Sequence, residues 1–206
     1  MQKRIITVFV ILLSMFSHAQ KDTRETISSE NISVINIDTD EVYLINIVTS
    51  KTSEIGIKTH SEGEYFDDII LESSISGNTL HIKTRYPQRL AGGYDKLSAH
   101  KVFSLEIELR IPENLEVIIS SNIASLQTDG SFKRIYADLK QGYCKLLDFS
   151  GAAVINTYSG NILVETNSGL IEAKSRNGKV DIPDFMPGRN PLRLTSIDGN
   201  IKVRKN

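Results

Sequence analysis

A glycine stands at every ninth position from Gly142 to Gly178, and the residues between these glycines repeat one pattern. Aligned on glycine, the segments read QGYCKLLDF, SGAAVINTY, SGNILVETN, SGLIEAKSR and NGKVDIPDF, and DGNIKVRKN recurs around Gly199. Two positions past the glycines stand Cys144, Ala153, Ile162, Ile171, Val180 and Ile201; two further on stand Leu146, Ile155, Val164, Ala173, Ile182 and Val203. All are apolar, and the residue between each pair is mostly polar. A unit this short cannot enclose a core of its own, so copies must stack on one another.

The spacing predicts an all-β chain whose repeat region is a parallel β-solenoid or β-helix-like stack of about nine residues per strand-turn unit. Asn-Gly and Asp-Gly pairs also mark hairpins, so an antiparallel β-sandwich is the alternative. If two units complete one circuit, Cys144/Leu146, Ile162/Val164, Val180/Ile182 and Ile201/Val203 share one sheet. Ala153/Ile155, Ile171/Ala173 and Leu192/Leu194 then share the opposite one, with Gly188 starting a longer unit. Glycine preceded by Ser, Asn or Asp, as at Gly151, Gly160, Gly169, Gly178 and Gly199, fits a turn that needs positive φ.

Longer strands precede the repeats. Ile32–Ile37, Val42–Val48, Ile55–Ile57, Ile69–Leu71, Leu80–Ile82 and Val102–Ile111 are short, β-branched and often alternating. In Leu105-Glu-Ile-Glu-Leu-Arg-Ile111 every second residue is apolar, and Pro112 stops the run because it cannot donate to a ladder. Gly77-Asn78 joins two strand-like runs as a hairpin. No Pro/Ser-rich linker intervenes, so residues 20–206 read as one β-repeat domain, with longer strands over 27–120 and regular repeats over 121–206.

Residues 1–19 read as a signal peptide. Lys3 and Arg4 precede an apolar run from Ile5 to Phe16, and Ser17-His18-Ala19 supplies small residues for cleavage. The run is shorter than the ~20 apolar residues a spanning helix needs, and no later segment is longer. Export to the periplasm, cell surface or medium is therefore expected. The formal net charge of −1 gives no electrostatic reason for a nucleic-acid partner.

Candidate chemistry is sparse. Cys144 shares the inward register of Ile162 and Val180, so it reads as a small core residue rather than a reactive thiol. Calcium-binding β-rolls need aspartates that these repeats lack, and no cofactor is expected. Glycosidase chemistry wants two carboxylates at a set separation. Asp181, between Val180 and Ile182, faces solvent, and Asp184 follows Pro183 at a turn, so neither has a defined partner. His60, His81 and His100 have no close metal-ligand spacing. No catalytic, metal or cofactor-binding residue is assigned, and the binding residues stay unknown. Two loops are candidates for recognition: Ser61 to Asp68, with four carboxylates and two aromatics, and Tyr86 to Lys101, with Arg89, Tyr94, Lys96 and His100.

Outward positions of the stack supply a further surface: Lys145, Leu163, Asp181 and Lys202 on one sheet, Val154, Glu172 and Arg193 on the other. The cations of the last strand, Lys202, Arg204 and Lys205, are of the kind that discourage pairing at a sheet edge.

The signal, the strands Ile32–Val34 and Val42–Ile45, Gly77–Ile82, Leu105–Leu115 with Ile111-Pro112, and the pair Ser159-Gly160-Asn161-Ile162 and Asp198-Gly199-Asn200-Ile201 together resemble a bacterial family of exported adhesin-like β-strand-repeat proteins, related to adhesin head domains and of unknown function. The resemblance covers nearly all of the chain after the signal and implies an extended solenoid-like fold with an adhesive or envelope role. The expectation is a non-enzymatic secreted or cell-envelope protein that binds a surface glycan or envelope protein through strand faces or loops. A structural envelope component and a carbohydrate-active enzyme are the alternatives.

Overall fold

The computed structural model describes residues 20–40, 42–63, 70–85 and 103–206. The expected signal at 1–19, the loop residues 64–68 and the connection 86–101 lie outside them. No helix among the described residues is long and apolar enough to cross a membrane.

The described chain is all β. Its strands are β1 (Gln20–Ser28), β2 (Val34–Thr39), β3 (Leu44–Ser50), β4 (Glu54–Gly63), β5 (Ile70–Ser76), β6 (Thr79–Arg85), β7 (Phe103–Pro112) and β8 (Glu116–Ser121). They continue with β9 (Ser125–Gln141), β10 (Cys144–Ser159), β11 (Ile162–Glu165), β12 (Leu170–Ser175), β13 (Val180–Asp181), β14 (Pro191–Asp198) and β15 (Ile201–Arg204). All fifteen belong to one mixed sheet, which does not close on itself.

Its pairings form two ladders. The first runs β1-β4-β7-β3-β9-β10-β11-β15-β13. The second runs β5-β6-β2-β8-β9-β10-β14-β12. The long strands β9 and β10 belong to both: their first halves lie in one ladder and their second halves in the other. Antiparallel pairing joins β1, β4 and β7, and the β5–β6 hairpin across Gly77-Asn78. The other pairings are parallel, so the all-β expectation holds in the form of one open, mixed sheet, which fits the alternative of a sheet with antiparallel pairing.

The period-2 pattern explains the burial. Ile45, Leu126, Cys144, Ile162 and Ile201 in the first ladder and Ile35, Val117, Ile135, Ala153 and Leu192 in the second are buried in one core. Both ladders turn their apolar side to it. Cys144 is among them, and burial pushes its thiol up to about 12, so it stays protonated and inert at neutral pH. Among the described residues two buried hydroxyls lack a partner, those of Thr39 and Thr128; Thr128, directly between Ile47 and Leu146, is fully buried. Thr128→Val removes an unpaired dipole at nearly constant shape, so it is expected to raise stability by about 1 kcal/mol in urea denaturation.

Two expectations need correction. The repeats do not stack in chain order. Ile162 pairs with Ile201, and Ile201 with Val180; Ala153 pairs with Leu192, and Leu192 with Ile171. The segment 191–204 therefore returns and inserts between the preceding coil and the outer strands β12 and β13. It follows that β15, with its cations, is an interior strand paired on both sides, and the edges at this end are β12 and β13.

The second correction concerns the glycines. Gly142, Gly151 and Gly169 do have positive φ, but Gly160, Gly178 and Gly199 do not. A Cβ on Gly160 would fall on the carbonyl oxygen of Gly142, one on Gly199 on that of Gly160, and one on Gly178 on that of Gly199. These glycines form a column in which successive coils touch backbone to backbone. Asn161 and Asn200 extend the column: the Asn161 side chain accepts from the Asn200 amide, and that of Asn200 accepts from the Lys179 amide, each at 2.8 Å.

Candidate ligand-binding face

Register brings the outward residues into rows. Lys145, Leu163, Lys202 and Asp181 stand side by side on the first ladder, and Val154, Arg193 and Glu172 on the second. Asp181 is exposed and paired with Lys202 at 2.9 Å. Arg193 reaches Glu172 at 3.2 Å. Asp184 is exposed on the turn after β13. His81 lies half-buried beside Asn36, 3.5 Å from its amide.

The second ladder carries a more organised group. One row runs Ile118, Tyr136, Val154, Arg193, and the next runs Ser120, Asp138, Asn156, Thr195. The Tyr136 hydroxyl donates to Asp138 at 2.7 Å, and the Asn156 amide donates to the other Asp138 oxygen at 2.8 Å. The hydrogen bond to Asp138 holds the Tyr136 phenol above its usual range, so it remains a donor. At the ends of these strands a groove of about 370 Å³ opens, lined by Asn122, Asp138, Lys140, Asn156, Tyr158 and Thr195 among others. Tyr158 is 58% exposed.

The groove thus combines an exposed aromatic ring with amide, hydroxyl and ammonium groups held on a rigid sheet. A ring offers a flat apolar platform, and fixed polar groups beside it can bond the hydroxyls of a neutral, polyhydroxylated ligand. Sequence reading did not select these residues. Asp138 and Asn156 are 18 positions apart, the length of two nine-residue units, and the β9–β10 register sets them side by side. Reading outward positions at that spacing, including Lys140 with Tyr158, finds them.

A second depression, of about 220 Å³, lies over Gly56 on the first ladder between Arg24, Lys58, Arg110 and Val48. There Lys58 faces Glu108 at 4.0 Å, and no exposed ring is present. Beside it, His60 donates from Nδ1 to Asp22 at 2.7 Å and from Nε2 to Glu62 at 2.9 Å, with Glu106 opposite on β7. These carboxylates, Asp22 first, lift its pKa from 6.5 to about 9. The imidazolium ties β1 to β4, a contribution complete below pH 6.5 and lost as pH rises through about 9. In an NMR titration His60 is expected to titrate near 9, and the stability gap between the protein and His60→Gln should narrow from pH 6 to pH 10. Among the described residues no group of three or more His, Cys, Asp or Glu side chains is placed to hold a metal ion.

No family model matches the sequence, and no curated protein matches it significantly. Solved structures do. A "putative cell adhesion protein" from Clostridium sporogenes superposes with a TM-score of 0.69 at 13% identity, over 91% of this chain and 100% of that one. The two chains share a fold. A "putative adhesin" from Bacteroides fragilis gives 0.41 at 9% identity over 90% and 97% of the two chains. A "putative lipid binding protein" from Parabacteroides distasonis gives 0.29 at 10% identity over 90% and 97%. At those scores neither adds to the argument from the first.

Proposed function

We propose that the protein is a non-enzymatic, exported adhesin-like protein that binds a glycan through the Tyr158 groove. The observation that carries this reading is the groove itself: an exposed ring beside the hydrogen-bonded Tyr136–Asp138–Asn156 group, on a face without paired catalytic acids. In this reading the two ladders act as a flattened, solenoid-like coil whose last turn is interleaved. The coil holds the groove open and takes no part in chemistry. The shared fold with a protein described as a cell adhesion protein supports the reading, as does the signal-like segment 1–19.

A glycan array followed by calorimetry tests it. Binding of one or more glycans is expected, with Tyr158→Ala weakening it at least about tenfold, the size of a lost stacking contact with its hydrogen bonds. Thr26→Ala, on the remote first ladder, should leave it unchanged. Absence of binding across the array, or binding insensitive to Tyr158→Ala, overturns the assignment. Turnover of a bound glycan would instead favour the carbohydrate-active alternative.

A further inference from the structure

The two ends of the stack differ in chemistry. At the β1/β5 end the inward row mixes polar Lys21, Thr23, Glu25 and Ser73 with apolar Ile27, Leu71 and Ile75, of which Ile27 and Leu71 pack on the core. Ser73 donates to Glu25 at 2.7 Å, bridging the two ladders at this end. At the β12/β13 end, the last inward residues are Ile171, Ala173, Val180 and Ile182. Val180 and Ile182 are 41% and 39% exposed, and among the described residues no strand lies beyond them. A stacked fold is stable when its terminal layer is polar or covered, and among the described residues this layer keeps Val180 and Ile182 exposed.

The edge strand β12 is open for pairing. Its Leu170 and Arg176 amides donate to Asn190 and Ser196 of the β14 side. By the alternation of a parallel ladder, the N–H and C=O groups of residues 171, 173 and 175 point to the free edge. The neighbouring edge β13 is two residues long and is followed by Pro183, which blunts it.

We propose that this end binds a second copy of the chain, with β12 pairing antiparallel to β12 of the other copy about a two-fold axis at Ala173. In that register residues 171 and 175 exchange hydrogen bonds across the junction, and Ala173 does so with its own copy. The outward side chains then match: Glu172 stands opposite Lys174, and Lys174 opposite Glu172, at the closely spaced pairs of an antiparallel ladder. Slipping by two residues in either direction sets Glu172 against itself or Lys174 against itself. Charge therefore selects this register. The open apolar layers of the two copies meet beneath it. The contact is isologous, each copy giving the same Glu172 and Lys174 to the other, so the assembly closes at two. The axis stands perpendicular to the sheet, which keeps the two Tyr158 grooves on the same side.

Sedimentation equilibrium of the purified protein and its variants tests the proposal. The unaltered protein is expected to be a dimer. Glu172→Lys and Lys174→Glu should each weaken dimerisation by at least about tenfold, since each places two like-charged pairs at the junction. An equimolar mixture of the two variants should recover a heterodimer, because the altered charges are complementary across copies. Ile182→Asp, at an already exposed position, should give a monomer whose circular dichroism is unchanged. A monomer at about 100 μM, tens-fold above a micromolar Kd, overturns the inference. So do species larger than a dimer, or a dimer that neither charge variant weakens. Glycan binding by a monomer would leave the groove assignment standing while removing the dimer.

Discussion

Gly160→Ala lowers the stability of the fold by about 3 kcal/mol or more, the upper range for overpacking a site that cannot yield. Gly160 does not have positive φ, so alanine meets no intrinsic backbone penalty there. The obstacle is the carbonyl of Gly142, part of the backbone of the adjoining coil, with the amide of Tyr143 next to it. A side chain can rotate away, whereas a carbonyl in a ladder moves only if the coil moves. The Gly160 carbonyl in turn accepts from Thr157 at 3.0 Å and Ser196 at 3.2 Å, so displacement at one level strains the next. Gly77→Ala is the contrasting case. Its site is open, but its φ of 60° makes alanine cost only about 1 kcal/mol. Urea unfolding of both variants separates the causes, and a loss below that of Gly77→Ala at position 160 would mean the column is not close-packed.

Phe149→Ala is expected to cost about 3–5 kcal/mol, the range for emptying a buried aromatic site. Phe149 sits where β10 passes from the first ladder to the second, within the register shift between Leu147 and Ser150 relative to β9. The residue before it, Asp148, takes a φ of 41°, which a non-glycine residue adopts only under constraint. Its ring stacks on Phe132 at 6.0 Å between centroids, and both are 2% exposed. The Thr166 hydroxyl binds the Phe149 carbonyl at 2.7 Å, so the backbone is held while the ring fills the corner. The site therefore cannot collapse onto a smaller side chain. Phe149→Leu should cost less than half as much, and a Phe132/Phe149 double-mutant cycle should show coupling of about 1 kcal/mol.

Much of this architecture is legible in the amino-acid sequence. Alternation over Leu105–Ile111 and the repeats marks which side chains enter the core, because side chains of an extended chain alternate between two faces. It places Cys144 inside and Lys145, Leu163, Asp181, Lys202, Val154, Glu172 and Arg193 outside. The groove is less legible. Asp138, Asn156 and Tyr158 carry no motif of their own, and they become a group only when the β9–β10 register sets residues 18 positions apart side by side.

The repeat by itself determined that the chain is β-rich and which residues face inward; that Gly160, Gly178 and Gly199 serve close backbone contact rather than positive φ came only from the structure. The repeat could not decide the order of the coils. Every unit offers the same glycine, the same two apolar residues and the same ladder, so one copy fits beside any other almost equally well. Only the tertiary structure shows that 191–204 returns across the turn at Pro187–Asn190 to lie inside β12 and β13. That choice rests on long-range packing of whole coils. It leaves Ile171, Val180 and Ile182, rather than the cationic last strand, at the open end.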